Sequence, residues 1–292
     1  MNRFLNGLVY LLTVAVIIYS VLIRDSGLPD DSRRPAPQAF APPSTIQPDR
    51  RGDLPSPSRR DPEVIVEVGE KRPSSGTAFS VGGPGVWMTA RHVVDGCSDI
   101  YLLTGERRGV RVRDVELHRN ADLAVLFTRG GVDSLPLAAG DLEIGQDGFA
   151  PGYPQGRPAD LHARLLGRSR LRSVGRYSTN EPAITWAEQR RAPAFQGSLG
   201  GLSGGPMLDS SGALVGVVVA ESRRRGRVTS AAPVSIRNLL ADVGVTPAVA
   251  GRSPQPVFTS GNFASNGQSL RRSLTVAKVI CRVARSARRP RF

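Results

Sequence analysis

Gly201-Leu202-Ser203-Gly204-Gly205-Pro206-Met207 sets one serine in a glycine turn directly ahead of an apolar run. Glycine enters the left-handed backbone region at no steric cost, so such a turn can aim successive N–H groups into one hollow. Working outward, two further stretches put a reactive side chain beside a strand-like run. They are Trp87-Met88-Thr89-Ala90-Arg91-His92-Val93-Val94 and Asn120-Ala121-Asp122-Leu123-Ala124-Val125-Leu126. Taken singly, each has an ordinary structural reading: a histidine at a strand end, an acid in a turn, a serine in a glycine loop. Their joint occurrence meets the needs of nucleophilic acyl transfer. The Ser203 hydroxyl is a weak nucleophile until a base takes its proton, and imidazole is the side-chain type suited to that task near neutral pH, so His92 is the candidate base. A buried Asp122 carboxylate would fix the ring tautomer and stabilise the imidazolium. The amides of Gly201 and Ser203 are the expected donors to the oxygen that becomes negative during attack.

The flanking sequence reads as strands. From Glu63 onward, short β-branched runs alternate with Gly, Pro and Asp turns, among them Val64–Val68, Gly76–Val81, Val86–Thr89, Asp99–Leu103, Leu123–Thr128, Leu161–Leu166, Leu214–Ala220 and Arg227–Pro233. About a dozen such runs with short gaps predict an all-β barrel or sandwich. Ser235–Val243 predicts a short closing helix, with Ser235 as its N-cap and Ile236, Leu239 and Leu240 on one face.

Composition bounds the rest. The chain has 292 residues, enough for one or two compact units. Two cysteines exclude zinc ribbons and iron–sulfur clusters, and three histidines argue against a His-rich metal site. No metal or organic cofactor is called for. The net charge of +14 is unevenly spread. Residues 250–292 hold nine Lys or Arg and no acid, whereas residues 63–249 hold 22 against 19. No groove-reading motif accompanies the basic tail, so no nucleic-acid partner is expected. The tail reads as a solvated segment, with Ser269–Val283 open to forming a basic amphipathic helix.

Phe4–Ile23 is 20 residues without a charge, which as a helix spans about 30 Å, the hydrocarbon thickness of a bilayer. It reads as a transmembrane anchor, the alternative being a cleaved signal peptide with an unusually long apolar core. Residues 29–62 contain nine prolines in 34 positions and predict a disordered tether. The expected location is the inner membrane, single-pass through residues 4–23, with the folded region in the periplasm or outside the cell.

The stretches Thr89-Ala90-Arg91-His92, Ala121-Asp122-Leu123-Ala124-Val125-Leu126 and Gly201-Leu202-Ser203-Gly204-Gly205-Pro206 resemble the three signatures of chymotrypsin-fold, trypsin-like serine peptidases, in a compact form similar to the HtrA protease domain. The resemblance spans about residues 63–243. It implies two antiparallel six-stranded β-barrels, about 63–143 and 144–234, with the site between them. By it, His92, Asp122 and Ser203 form the triad, and Gly201 with Ser203 the oxyanion hole. The substrate-binding residues it implies are Gly197, Ser198, Val218, Val219 and Ala220. No carboxylate stands at the implied pocket base, so small or medium apolar side chains are expected there, unless Glu221 turns inward. Leu202 replaces the acid of zymogen-activated members, and Arg91 stands where the family often has Ala. Cys97 is similar in position to a family disulfide cysteine whose nearby partner is missing; Cys281 is the candidate partner, and the pairing stays open. The implied activity is a membrane-anchored endopeptidase acting on proteins or peptides. A silent binding module of the same fold and an esterase are the alternatives.

Overall fold

The computed structural model describes residues 52–106, 108–248, 250 and 256–284. These lie in one compact unit, Pro48–Phe292. The expected anchor, residues 4–23, and the tether before residue 52 fall outside the described residues. Among the described residues no helix is long and apolar enough to cross a membrane.

Two seven-stranded sheets carry the architecture. The first runs β5 (Gly109–Arg111), β4 (Asp99–Leu103), β14 (Val276–Arg282), β2 (Ser74–Ser80), β3 (Val86–Thr89), β7 (Ala124–Phe127) and β6 (Asp114–Leu117). The second runs β1 (Glu63–Val68), β9 (Ala159–Gly175), β10 (Thr179–Ala192), β13 (Arg227–Ala231), β12 (Leu214–Ser222), β11 (Pro206–Leu208) and β8 (Asp147–Gly152), and β8 also pairs with β9. All pairings are antiparallel except β1 on β9.

The sequence pattern explains the layering. β12 opens with Leu214-Val215-Gly216-Val217-Val218-Val219, all buried, as an unbroken apolar run requires of a strand covered on both faces. β1 alternates exposed Glu63, Ile65 and Glu67 with more buried Val64, Val66 and Val68, the period of two of a strand with one wet face. One core gathers Phe79, Met88, Leu102 and Leu126; another gathers Leu161, Ile184, Trp186 and Met207. Each such side chain contributes roughly 1.5–3 kcal/mol on burial. The indole N–H of Trp186 donates to Ser230 Oγ at 2.9 Å, so this large group brings no unpaired donor into the core.

Several expectations are corrected. Each sheet has seven strands, because segments outside the expected barrel limits join them. β1 belongs to the sheet of the second half, not the first. The described part of the tail, residues 256–284, is not a solvated appendage. It folds into a helix, Phe263–Arg272, and then β14, which lies between β4 and β2. Leu274 has φ +61°, which interrupts a continuous helix over 269–283. The tether stops short of residue 62: the N–H of Leu54 donates to the Leu142 carbonyl at 2.7 Å, and Leu54 is buried. The closing helix begins at Pro233 rather than after Ser235, since proline's fixed φ suits a first helical position and its missing N–H costs nothing there. We call Arg91–Val94, Pro233–Asp242 and Phe263–Arg272 helices α1, α2 and α3.

The C-terminal segment is fastened at three points. Cys97 and Cys281 form a disulfide across a sequence separation of 184. Arg271 of α3 grips Asp160 of β9 with two bonds of 2.6 and 2.8 Å. The Lys278 amine donates to the Gly156 carbonyl at 3.0 Å.

Candidate active site

His92 sits in α1, the short turn that follows β3, and Asp122 sits just before β7. β3 and β7 are paired neighbours, which brings the two residues together from 30 positions apart. His92 Nδ1 lies 2.6 Å from Asp122 Oδ2, and the His92 backbone N–H donates to Asp122 Oδ1 at 2.8 Å. Asp122 is 1% exposed, while the His92 side chain keeps 28% of its surface in solvent. The ring is thus held from beneath and open above.

Ser203 comes from the other sheet, in the turn before β11. Thr77 of β2 joins the halves. Its N–H donates to the Ser203 carbonyl at 2.9 Å, and its Oγ1 donates to the Gly201 carbonyl at 2.7 Å. Thr89, three residues before His92, donates through Oγ1 to the Thr77 carbonyl at 2.7 Å. Gly204 lies so close to this strand that a Cβ there would stand 2.8 Å from the Ala90 nitrogen. The serine turn is therefore pressed against the segment that carries His92.

Gly201 has φ +97°, the region that favours glycine, and a Cβ there would lie 2.5 Å from the Tyr153 carbonyl oxygen. The neighbouring amides are spoken for: Gly200 N–H by Ser198 Oγ, Leu202 N–H by Leu199 O, Gly204 N–H by Val218 O. Among the described residues the N–H groups of Gly201 and Ser203 have no acceptor.

The expected substrate-binding residues divide. Gly197 and Ser198 border the turn, half-buried. Val218 and Val219 are buried, and the Val218 carbonyl and amide are taken by Gly204 and Gly205. Of the strand positions only Ala220 is partly open. Glu221 does turn inward, so the implied pocket is not free of carboxylate: it accepts from Ser198 Oγ and from the Leu199 N–H. Both its oxygens are thereby engaged in bracing the loop ahead of Ser203. Gln155, at φ +51°, braces the same loop from the far side, donating through Nε2 to the Gln196 and Ser198 carbonyls at 3.0 Å each.

Other side chains escaped the sequence reading because nothing local marks them. Tyr177, in the turn between β9 and β10, donates its hydroxyl to Asp122 Oδ1 at 2.8 Å. Burial raises its pKa, and the charge of Asp122 raises it further. Glu181 of β10 is 3% exposed, and its Oε1 accepts the Asp122 N–H at 2.7 Å. Among the described residues its Oε2 has no hydrogen-bond partner within bonding distance. Burial pushes this carboxyl up to about 8; the Asp122 N–H opposes the shift, and the Asp122 charge adds to it. Lys71 donates to the carbonyls of His92 and Val93 at 2.9 and 2.7 Å, satisfying the end of the turn that carries His92. Burial, with Arg176 nearby, lowers its amine to about 8 against the pull of Asp95 and Asp122.

This combination, a paired imidazole and carboxylate with a glycine-turn serine strapped to the same strand, is similar to the site of trypsin-like peptidases. Residues 76–217 match the family model of the trypsin-like peptidase domain, and all three site residues lie inside that span. Over that span the chain is similar to trypsin-like peptidase domains, and the relatives it resembles include serine proteases. It is 31% identical over 165 residues to Protease Do-like 1, chloroplastic, of Arabidopsis thaliana, covering 55% of this chain and 36% of that protein. It is 30% identical over 180 residues to serine protease Rv3671c of Mycobacterium tuberculosis, covering 59% and 42%. The crystal structure of the active form of the Rv3671c protease aligns with a TM-score of 0.49 at 24% identity, covering 63% of this chain and 76% of that one. The chain spans less than half the length of these curated relatives.

Proposed function

We propose that the protein is a membrane-anchored serine endopeptidase that hydrolyses peptide bonds through an acyl-enzyme. Ser203 Oγ attacks the scissile carbonyl carbon while His92 takes its proton. With Nδ1 committed to Asp122, Nε2 is the ring nitrogen left for that transfer. The N–H groups of Gly201 and Ser203 hold the oxyanion. Collapse breaks the C–N bond, and the imidazolium gives its proton to the leaving amine. Water then repeats the sequence to release the acid. The observation that carries this reading is the His92–Asp122 pair at 2.6 Å, with the serine turn strapped to the same strand by Thr77 and two of its amides lacking an acceptor among the described residues.

The finer fold reading is a chymotrypsin-like double barrel. The pairing cycle β9-β10-β13-β12-β11-β8 returning to β9 supports six closed strands in the second half, with β1 added outside. The substrates are proteins or peptides, taken through Gly197, Ser198 and Ala220. The inward Glu221 carboxylate, bonded to Ser198 Oγ and the Leu199 N–H, removes the condition on which the apolar preference rested. The charge-free Phe4–Ile23 supports anchoring in the inner membrane, and the disulfide supports a domain on the oxidising, exported side.

The test is labelling and turnover with the detergent-solubilised full chain. A fluorophosphonate should label it, and Ser203→Ala should remove the label. His92→Ala and Ser203→Ala should each lower peptide hydrolysis by orders of magnitude, about 10⁴-fold or more on the triad template. Near wild-type turnover in either variant rejects the assignment, and absence of labelling in the folded chain favours the silent module. An ester cleaved with every peptide refused favours the esterase.

A further inference from the structure

We infer that Tyr177 and Arg91 are a positioning pair that sets the strength of the Asp122–His92 couple. The inference rests on the peptidase reading above. It accounts for two residues that reading does not use, one of them the arginine that stands directly before His92.

The carboxylate of Asp122 meets three donors. Oδ2 takes the imidazole at 2.6 Å, and Oδ1 takes both the His92 N–H and the Tyr177 hydroxyl at 2.8 Å each. The phenol comes from the β9–β10 turn, so the second sheet reaches across to hold an acid of the first. The Arg91 guanidinium lies 4.1 Å from the centroid of the Tyr177 ring. It is itself fixed by Asp95, at 3.2 Å through Nε, and by the His118 carbonyl, at 3.3 Å through Nη1. A cation against an aromatic face is attracted by the ring and draws density from it. The hydroxyl thereby becomes a stronger donor to Asp122. Burial keeps the phenol protonated throughout the working range, so the donor does not switch off. The charged and titratable groups around this trio are Arg91 and Asp95 on and beside α1, Lys71 from the β1–β2 connection, Arg176 beside Tyr177, Glu181 on β10, and His118 ahead of β7 with Asp242 near it.

The donor has a defined effect on the base. Charge that Asp122 gives to the phenol is charge it does not give to the imidazolium. Tyr177→Phe leaves Oδ1 with the His92 N–H alone, so the carboxylate pulls harder on the protonated ring. The acid limb of the kcat/KM profile then moves to higher pH, by about half a unit, as expected when one of several hydrogen bonds to a carboxylate is lost. Without the phenol the carboxylate is also less firmly oriented, the ring geometry loosens with it, and kcat falls about 5- to 10-fold with KM unchanged. Arg91→Ala moves the limb in the same direction by a smaller amount, and Arg91→Lys restores part of the shift.

The experiment is a pH–rate profile of the full chain in detergent, on one peptide substrate, for wild type, Tyr177→Phe, Arg91→Ala and Arg91→Lys. Proton NMR of the low-field His92 Nδ1–H signal accompanies it. An upward limb shift and a moved proton signal in Tyr177→Phe, echoed weakly by Arg91→Ala, support the pair. A limb that coincides with wild type, or a loss expressed in KM alone, overturns it. Should Tyr177→Phe not fold, Arg91→Ala decides by the same two readouts, because it leaves the phenol in place. Wild-type hydrolysis that survives Ser203→Ala would instead reject the peptidase reading, whatever the limbs show.

Discussion

Glu181 makes stability depend on pH in a way one substitution should erase. Its carboxyl is pushed up to about 8 by burial, against 4.5 for an ordinary glutamate. Below about pH 4.5 the group is protonated in folded and unfolded chains alike, and it contributes no difference. Between about 4.5 and 8 the unfolded chain releases its proton while the folded chain keeps it. The unfolded state then holds fewer protons, so stability falls as pH rises through this window. Above 8 both forms are ionised and the loss is complete. A gap of this size is worth on the order of 3–5 kcal/mol. Glu181→Gln keeps the oxygen that accepts the Asp122 N–H and removes the titration. Urea unfolding of the full chain at pH 5, 6, 7 and 8, in a Ser203→Ala background to prevent self-digestion, measures the effect. The Gln variant should lose less stability across the series than its parent, with the two curves converging toward low pH. Parallel curves over the whole range would refute the argument that Glu181 stays protonated in the folded protein.

Other perturbations test separate parts of the molecule. Replacing Cys97 and Cys281 together by serine reopens a loop closed across 184 residues; chain-entropy arithmetic puts the loss at about 5 kcal/mol, read by thermal melting without reductant. Gly201→Ala forces a side chain onto a backbone at φ +97° and against the Tyr153 carbonyl. It should lower kcat about 100- to 1000-fold, the scale of losing one oxyanion donor, with far-UV circular dichroism unchanged. Arg271→Met strands Asp160, whose side chain is 4% exposed, at a cost of about 3–5 kcal/mol in urea unfolding. Adding Asp160→Asn should recover part of that loss, because the stranded charge is then gone.

Much of this site was legible in the sequence because its reactive groups sit beside strands with a clear pattern. The continuous apolar run of β12 and the run that becomes β7 announced strands, and the glycines around Ser203 announced a turn with positive φ. What escaped was set by contacts distant in sequence. Tyr177 reaches Asp122 only because the long β9–β10 hairpin carries its turn across to the other sheet. Thr77 is one small polar residue in a strand, and its three bonds to the serine and histidine segments leave no local trace. The tail misled because its nine basic residues, with no acid among them, dominated its reading. Val276, Ala277, Val279 and Cys281 are nevertheless buried, and they sit at strand rather than helix intervals except at one step. Glu221 could be flagged as ambiguous but not resolved, since whether it turns inward depends on where Ser198 lies.

The position of β14 bears on how the protein comes into being. Its two partners, β2 and β4, are made some 170 to 200 residues earlier, yet they do not touch each other in the sheet without it. During synthesis they must wait, each with an unpaired edge, until the ribosome has nearly finished with this domain. Sheets completed by so remote a partner fold slowly and expose sticky intermediates. The same delay leaves β2, the strand that carries Thr77, short of one partner until the chain is almost complete.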